Sequence, residues 1–580
     1  MNEPREATPL WRATAGIPSW RPTVVGRRYA VTTGHYLATA AAVRVLERGG
    51  NAIDAGVTAS LALAVLQPDI VSFAGVAPTL VYEKSGKRVT SLAGLGYWPA
   101  ATDIARLREA GGKSVPEGLL RTVLPAAPAT HVEALRRFGT IAFREAAAPA
   151  YELARDGFAV FPALANNLRK HAEKYRRYPE NARIFQPGGR VPQVGEPFTQ
   201  ADLARTILGM IDAEERVGRS REAALSAVHD HFYRGPIAAT VADYHAKNGG
   251  FLTRDDLAGF EVPVESSIAV GYRGYEVHAC DVWCQGIVLL ETLKILEGID
   301  LRALDHNSAA YIHTLAEALN LAFADRERYV GDPKFVDVPT AMLLSDAHAA
   351  ALRRRIDPER AFGEMPQADA AGEERPQRSA VPAVPGLDTI YCGVVDAEGN
   401  AYSATLSDNA RDTPVIPGTG LTISGRGCQS RLDEGHPSEV KPGKRPRLTP
   451  SPGIVLRDGE FFLAFGTPGG DVQCQAMLQV FLNIAQFGMH VQQAIEAPRF
   501  ATFSFPNSFA PHEYLPGRLC VESRVPEPVR GALARLGHDV ETWPEIVGRA
   551  GAVCAILRDR PTSWLHAGAD PRRENYAAAW

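Results

Sequence analysis

The sequence predicts a mixed α/β fold of the α+β kind, in which stacked β-sheets are covered by helices. Three observations lead to this prediction: Ala-rich helical segments near the start, helical periodicity through residues 115–240, and paired strand patterns after residue 388. Strands that fall in groups, with helices in separate groups, favour sheets packed together with helices outside them. The 580 residues are enough for several domains, or for one large core with insertions.

The N-terminal third supplies the first helices and strands. Residues 1–30 are polar, contain prolines, and are predicted to form an irregular arm. Two helices follow, in GHYLATAAAVRVLERGG and NAIDAGVTASLALAVLQP; the Gly-Gly pair ends the first, and Asn51 or Asp54 begins the second. APTLVYEKSGKRVTSLAG then predicts two strands around a Ser-Gly turn.

The middle of the chain is mostly helical and ends in a linker. A short capped helix is predicted near Thr253, followed by strands. GIVLLETLKILEGIDL and NSAAYIHTLAEALNLAFADRERYV predict two amphipathic helices. Residues 357–388 then lose periodicity and are rich in Pro, Glu and Arg, which predicts an exposed, mobile linker.

The C-terminal third begins with two hairpins. TIYCGVVDAEGNAYSATLSD predicts a strand, a turn at Asp396–Asn400 and a second strand. PGIVLRDGEFFLAFGTP predicts another hairpin that turns at 457–459. VQCQAMLQVFLNIAQFG predicts a long helix that starts just after TPGGD.

The composition excludes several classes of function. Hydrophobic residues make up 45%, charged residues 22%, and the formal net charge is −4, so nothing favours a nucleic-acid or membrane partner. Seven scattered cysteines, with only Cys280 and Cys284 close in sequence, predict reduced thiols rather than a zinc site. With no secretory signal and no bilayer-length apolar run, we expect a cytoplasmic protein. No motif calls for a metal or an organic cofactor.

Thr389 lies where the linker meets a strand, and two interpretations of its role are open. A threonine at the start of a strand after an aspartate turn is ordinary. In the catalytic reading, cleavage before Thr389 places a new α-amine, with a pKa of about 8, beside the hydroxyl that it activates. Backbone N–H groups of Gly469 and Gly470 would then serve an oxyanion, although a Gly-Gly pair also makes a plain tight turn.

Several collinear stretches together resemble the gamma-glutamyltransferase family of N-terminal-nucleophile hydrolases. The resemblance runs from about Ala30 to the C-terminus. It is carried by GGNAIDAGVTASLALAVLQP, FADRERYVGDP, DTIYCGVVDAEGNA, GTPGGDVQ and GADPRRENYAA. The ADRxxYxGDP block is highly specific.

The resemblance implies an autoprocessed enzyme that cuts a small-molecule amide. The precursor would be cleaved between Asp388 and Thr389, giving a large subunit (31–388 after the arm, with the linker at its end) and a small subunit (389–580). Both would form one four-layer αββα sandwich of the N-terminal-nucleophile hydrolase type, without cofactor. Thr389 would be the nucleophile, Thr405 would hydrogen-bond it, and Gly469 and Gly470 would form the oxyanion hole. A homo-oligomer of this heterodimer stays open.

The sequence departs from the family where glutamate is held. Leu95 stands where an arginine grips the α-carboxylate, and Ser407 where an asparagine is found. Gln429 falls near the position of the acid that binds the α-ammonium. Leu448 and Thr449 replace a Ser-Ser pair. We therefore expect a rewritten substrate pocket that does not favour glutathione.

The segment 424–441 is short, as in the lidless, acylase-like branch of the family. Without a lid to exclude water, we expect hydrolysis to exceed transfer to an amine. Four arginines crowd this region, any of which could bind an acidic substrate group or be an ordinary surface charge: Arg411, Arg426, Arg431 and Arg447.

Two alternatives remain. The chain could be a true gamma-glutamyltransferase, a glutathione hydrolase that holds glutamate with substitute residues. It could also be a non-catalytic scaffold that keeps the fold, although a scaffold needs none of Thr389, Thr405 and the Gly469–Gly470 pair.

Overall fold

The computed structural model describes residues 19–217, 220–368, 378–379 and 388–580. Nineteen α-helices lie in these ranges. In chain order they are α1 Tyr36–Glu47, α2 Ala52–Leu66, α3 Ile104–Gly111, α4 Ala127–Phe138, α5 Phe143–Asp156, α6 Pro162–Lys170, α7 Ala172–Arg176, α8 Pro179–Phe185, α9 Ala201–Val217, α10 Arg221–Tyr233, α11 Pro236–Asn248, α12 Arg254–Ala258, α13 Gly286–Glu297, α14 Ala309–Tyr329, α15 Thr340–Leu343, α16 Asp346–Arg353, α17 Val472–Ala485, α18 Val491–Glu496 and α19 Glu527–Arg535.

Twenty-one strands lie in the same described ranges. They are β1 Val24–Gly26, β2 Ala30–Thr33, β3 Thr79–Glu83, β4 Arg88–Leu92, β5 Phe158–Ala159, β6 Pro197–Phe198, β7 Val264–Ser266, β8 Ile268–Tyr272, β9 Tyr275–Ala279, β10 Ile390–Val395, β11 Ala401–Leu406, β12 Val415–Ile416, β13 Leu421–Thr422, β14 Gly453–Arg457, β15 Glu460–Gly466, β16 Phe500–Thr502, β17 Arg518–Glu522, β18 Asp539–Trp543, β19 Cys554–Arg558, β20 Leu565–Ala569 and β21 Tyr576–Ala579.

Two seven-stranded sheets form the centre of the molecule. The first has the order β21-β2-β10-β11-β3-β4-β7, and the second has the order β1-β20-β19-β15-β14-β9-β8. An apolar core lies between the sheets, a second core packs the first sheet against α2, α4, α5, α9 and α10, and a third packs the second sheet against α13, α14, α17 and α18. The fold is therefore an α/β sandwich with two sheets inside and helices on both outer faces, as the sequence predicted.

The central hairpin β10–β11 is buried on both faces. Every residue of both strands is buried, because helix α2 covers one face and the second sheet covers the other. The strands pair antiparallel, with Ile390 opposite Leu406 and Val395 opposite Ala401. Thr389 precedes the first paired residue, so the hairpin fixes its position.

Capping and turn residues in the sequence predicted the positions of several elements correctly. Asn51 begins α2 and forms a reciprocal capping box with Asp54. Thr253 caps α12 in the same way with Asp256. The turn between β14 and β15 has positive φ at Asp458 (53°) and Gly459 (72°), as a tight hairpin requires.

One boundary differs from the sequence prediction, and a second segment is only partly described. The irregular arm was predicted to extend to residue 30, but Val24–Gly26 form β1, which pairs with β20 because its backbone completes that sheet edge. Most of the predicted linker at 357–388 lies outside the described residues. Its described start is held by the fold, since Phe362 N–H donates to Glu317 and Ala361 N–H donates to the carbonyl of Leu536.

Candidate active site

Thr389 lies at the entrance to β10 with an unusual backbone. Its side chain is fully buried and its φ is +77°. A β-branched residue rarely adopts positive φ, because its Cβ then crowds the neighbouring carbonyl. Such strain costs on the order of 1–3 kcal/mol and persists only where the surroundings enforce it. The backbone on the C-terminal side of the Asp388–Thr389 bond is therefore held in a high-energy conformation.

Two side chains contact the Thr389 hydroxyl. Its Oγ1 lies 2.5 Å from Oγ of Ser407, the residue that follows β11. It also donates to Oδ1 of Asp388 at 3.1 Å. The hydroxyl is thus bonded to a second hydroxyl and to the carboxylate of the residue before it.

Arg426 sets the direction of these hydrogen bonds. Its Nη2 donates to Asp388 Oδ2 at 2.9 Å and also to the hydroxyl oxygen of Ser407. Since Arg426 can only donate, the proton of Ser407 is left to point at Thr389, whose own proton points at Asp388. The arrangement polarises the Thr389 hydroxyl towards a carboxylate.

The peptide bond between Asp388 and Thr389 is held from both sides. The Thr389 N–H donates to the carbonyl of Ile70 at 3.1 Å. Arg573 Nη1 lies 3.5 Å from the carbonyl oxygen of Asp388 and 3.3 Å from that of Thr389. A guanidinium against the Asp388 carbonyl is placed where negative charge would develop if that carbonyl were attacked.

Burial shifts the pKa of several charged groups around Thr389. It raises the pKa of Asp408 to about 6, although Arg426 opposes the rise. It raises the pKa of Asp69 to about 6 in the same way, opposed by a hydrogen bond from Asn167. Burial lowers the pKa of Arg573 to about 10, against the attraction of Asp388. This clustering of perturbed groups is typical of a functional site.

Gly469 and Gly470 form the turn between β15 and α17. Their φ angles are +131° and +57°, which disfavour other residues. Gln285 Nε2 donates to the carbonyl of Gly470 at 2.9 Å. Within the described residues, neither backbone N–H of this pair donates a hydrogen bond, so both remain available as donors.

A cavity of about 350 Å³ opens beside Asp388. Its aromatic wall is Phe509, whose ring lies 5.5 Å from Arg426 Cζ and against Gly470, where an added Cβ would come within 3.2 Å. Phe509 therefore lies close both to Arg426 and to the glycine turn. The charged residues of the wall are Glu117, Arg121, Lys174, Asp388, Asp408, Arg411, Asp412, Arg426 and Glu513.

The hydrogen bond that we expected from Thr405 is made by Ser407 instead. Thr405 lies opposite Tyr391 on β11, and its Oγ1 has no hydrogen-bond partner within the described residues. Ser407, which was expected to bind substrate, contacts the nucleophile candidate. Ser407 lies two residues beyond Thr405, and because side chains alternate along a strand both residues point to the same face, so strand alternation alone does not distinguish them.

The remaining predicted substrate residues lie away from this cavity wall. Leu95 is buried in the core between the sheets, so it contributes packing at that position. Gln429 Nε2 donates to Thr449 Oγ1 at 2.8 Å. Gln285 joins Thr449 to the glycine turn, donating to the Thr449 carbonyl at 3.1 Å as well as to Gly470. Gln429 and Thr449 thus support the Gly470 side of the site.

The four arginines divide into two pairs. Arg411 and Arg426 line the cavity. Arg431 and Arg447 instead donate to the carboxylate of Glu327, together with Arg326. These two are structural cations of a buried network and are not available to a substrate.

Sequence reasoning missed Asp408, Asp69 and Arg573. The signal for Arg573 was present, since it lies in the GADPRRENYAA block that the resemblance singled out without assigning a role. Asp408 follows Ser407 directly and has a φ of +108°, a conformation that no pattern in the sequence predicts. Asp69 lies in the loop after α2, next to Ile70, whose carbonyl accepts from the Thr389 N–H, and this approach depends on the tertiary fold.

The described part of the chain also contains side-chain clusters away from this site. Two His-carboxylate clusters have spacings suited to a metal ion, His313–Glu317–His538 and Glu291–Asp325–His348, and neither includes a residue of this site. All seven cysteines are buried and free. None of the described helices combines the length and apolar character that crossing a bilayer demands.

Comparison with known proteins gives consistent matches along the chain. A family profile described as gamma-glutamyltranspeptidase matches residues 38–580. The glutathione hydrolase-like YwrD proenzyme of Bacillus subtilis is 31% identical, covering 96% of this chain and 99% of the relative. The acylase ACY 1 proenzyme of Pseudomonas sp. strain SE83 is 32% identical, covering 91% and 90%. The crystal structure of cephalosporin acylase from Bacillus halodurans superposes with a TM-score of 0.83 at 30% identity, covering 98% of each chain.

Proposed function

The chain belongs to the gamma-glutamyltranspeptidase family of hydrolases and transpeptidases, and from this premise we propose that it is an autoprocessed amidohydrolase whose nucleophile is Thr389. The observation that carries the proposal is the contact of the Thr389 hydroxyl with Ser407 and Asp388, beside a strained backbone. A structural threonine at a strand entrance needs none of these features.

Maturation begins with attack by Thr389 Oγ1 on the carbonyl carbon of Asp388. The hydroxyl proton passes to the Asp388 carboxylate, and Arg573 stabilises the oxyanion. The peptide C–N bond then breaks, its nitrogen takes up a proton and becomes the α-amine of Thr389, and an ester joins Asp388 to Oγ1. Water hydrolyses this ester, which leaves a new carboxyl terminus on Asp388 and frees the Thr389 hydroxyl.

Turnover reuses the same hydroxyl, with the new α-amine as base. The amine accepts the proton while Oγ1 attacks the substrate amide, and the proton then goes to the departing amine product. Ser407 holds the nucleophile, and the N–H groups of Gly469 and Gly470 donate to the oxyanion. Water then hydrolyses the acyl ester on Thr389.

We expect hydrolysis to exceed transfer to an amine acceptor. The short segment 424–441 contributes Gly425, Arg426 and Cys428 to the cavity wall, next to the reacting groups. Because this segment is too short to form a lid, we expect water to reach the acyl ester. Product analysis at high acceptor concentration tests this: mostly free acid is expected, and a dominant transfer product would contradict it.

The acyl group that best fits the cavity carries a carboxylate. In the uncleaved chain this place is taken by the Asp388 carboxylate, held on Arg426 at 2.9 Å. Cleavage turns Asp388 into a chain end, and a substrate carboxylate could then take its place on the guanidinium. Arg426 also has a buried Nη1 without a hydrogen-bond partner in the described residues.

Two amides with the same leaving amine test this preference on the mature enzyme. One carries a glutaryl group and the other a pentanoyl group, so that they differ by the terminal carboxylate. We expect a kcat/KM at least about tenfold higher for the glutaryl amide, equivalent to about 1.4 kcal/mol. Equal rates, or a preference for the pentanoyl amide, would contradict an anionic subsite at Arg426.

A true gamma-glutamyltransferase is the alternative. Leu95 in the core provides no charge for an α-carboxylate, so we expect a gamma-glutamyl anilide to be a poorer substrate than the glutaryl anilide. The reverse order would favour the alternative.

A further inference from the structure

Three helices of the outer layer bring a histidine and two carboxylates together, none of which is a residue of the candidate active site. Glu291 lies on α13, Asp325 on α14 and His348 on α16. His348 Nε2 is 2.6 Å from Asp325 Oδ2 and 3.6 Å from Glu291 Oε1. One ligand atom from each residue lies within 4.8 Å of the others, a spacing that a single ion can bridge.

The two carboxylates are buried without enough donors. Glu291 and Asp325 are each 1% exposed, and Glu291 Oε1 and Asp325 Oδ1 have no hydrogen-bond partner within the described residues. In the same part of the chain, neither carboxylate forms an ion pair with a lysine or arginine. The nearby Lys294 is committed to Glu297 and Asp346 instead.

Adjacent buried carboxylates require either a shared proton or a cation. A cation between the groups would contact both unpartnered oxygens and neutralise both carboxylates, whereas a single shared proton leaves one of the two negative charges buried.

The cluster of His313, Glu317 and His538 serves as a comparison, because its hydrogen bonds are complete at His313 and Glu317. His313 Nδ1 lies 2.9 Å from His538 Nε2, and His313 Nε2 lies 2.8 Å from the carbonyl of Asp357. Glu317 accepts from the Phe362 N–H and from Asn320. Both nitrogens of His313 and both oxygens of Glu317 have partners, so this cluster has no unmet need for an ion.

The cluster of Glu291, Asp325 and His348 borders a cavity through His348. His348 lines a cavity of about 440 Å³, together with Tyr329 and Arg355. An ion could enter along this side, and water from the cavity could complete its coordination.

We propose that Glu291, Asp325 and His348 bind one divalent cation that joins α13, α14 and α16. One imidazole with two carboxylates is a ligand set suited to Zn²⁺ or Mn²⁺. The imidazole nitrogen distinguishes it from a set of oxygen ligands alone, which would favour Mg²⁺ or Ca²⁺, and no thiolate takes part. The role is structural. Asp325 also precedes Arg326, which donates to Asp471 beside the glycine turn, so the ion would stiffen a helix that supports that turn.

Metal titration of the full-length protein tests the site. After chelation and dialysis, binding of Zn²⁺ and of Mn²⁺ is measured by calorimetry, and thermal unfolding is followed with and without each ion. We expect one equivalent to bind and the melting temperature to rise. His348→Ala and Glu291→Gln should each weaken binding by at least about tenfold. The control Glu317→Gln, which alters the complete cluster, should leave the affinity unchanged.

Three results would overturn the proposal. These are failure of the chelated protein to bind either ion, binding without a rise in melting temperature, and unchanged affinity in both His348→Ala and Glu291→Gln. His348 is partly exposed in the first turn of α16, so His348→Ala is expected to fold even if the buried substitution does not.

Discussion

Thr389 Oγ1 and Ser407 Oγ lie 2.5 Å apart, at the open end of the central hairpin. Arg426 donates to Ser407 from the other side, so the Ser407 proton is directed at the threonine oxygen. This contact makes Ser407, rather than Thr405, the hydroxyl that orients the nucleophile.

Ser407→Ala tests that assignment. We expect both the rate of chain cleavage and the kcat of the mature enzyme to fall by about 10–100-fold, because a hydrogen bond worth about 1–3 kcal/mol is lost at the nucleophile. Thr405→Ala is the matched control on the same strand. Gel densitometry of cleavage and steady-state kinetics should show a much smaller effect for it. A larger effect from Thr405→Ala than from Ser407→Ala would reverse the assignment.

Asp388→Asn tests the carboxylate as the base for cleavage. The amide cannot accept the hydroxyl proton, so we expect cleavage to slow by at least about tenfold. Molecules that do mature should have nearly normal kcat, since the amine of Thr389 then serves as base. Asp412→Asn removes a negative charge from the same cavity wall, where Asp412 pairs with Lys174 and lies apart from Thr389. Equal slowing of cleavage in Asp388→Asn and Asp412→Asn would indicate that the negative charge of the cavity wall, and not a base at Asp388, sets the rate.

Asp69→Asn tests the buried carboxyl group beneath the site. Burial raises the pKa of Asp69 to about 6, above its unfolded value of about 3.9. The folded protein therefore binds more protons than the unfolded chain between these values, and wild-type stability falls as pH rises through that window. The stability of wild type relative to Asp69→Asn should drop between pH 4 and pH 6 and then stay level. The total drop is on the order of 3 kcal/mol, followed by thermal unfolding at each pH. A pH-independent difference would show that the folded protein does not raise the pKa of Asp69.

Gly470→Ala tests the glycine turn. Its φ is +57° and its Cβ would press against Phe509, so we expect lower stability and a kcat reduced by at least about tenfold. Gly488→Ala is matched for backbone cost, since Gly488 has a φ of +64° and nothing within 4 Å of an added Cβ. It should lose about 1 kcal/mol of stability and keep its kcat. If both variants retain full activity, the turn does not bind the oxyanion.

Much of the fold was predictable because local signals agreed with the tertiary structure. The capping box of Asn51 and Asp54 and the hairpin turn at Asp458–Gly459 are set by short-range hydrogen bonds and φ angles. The buried hairpin β10–β11 was identified from its turn. The strand β1 was missed, because three residues that complete a sheet edge carry little pattern of their own.

The site was less predictable than the fold. Thr389 and the glycine turn stood out because the chemistry demands those residue types at those junctions. The choice between Thr405 and Ser407 depends on how far β11 extends before it leaves the sheet, and a shift of two residues keeps the same face. Asp69 and Arg573 come from loops distant in sequence, and their approach to Thr389 is decided by packing.

N-terminal sequencing of the purified protein after denaturing electrophoresis is the most direct test of Thr389 as nucleophile. We predict two fragments, one of which begins Thr-Ile-Tyr-Cys-Gly, and a single inactive chain from Thr389→Ala. A wild-type protein that stays one chain over days, or a Thr389→Ala variant that is cleaved at the usual position, would contradict the account.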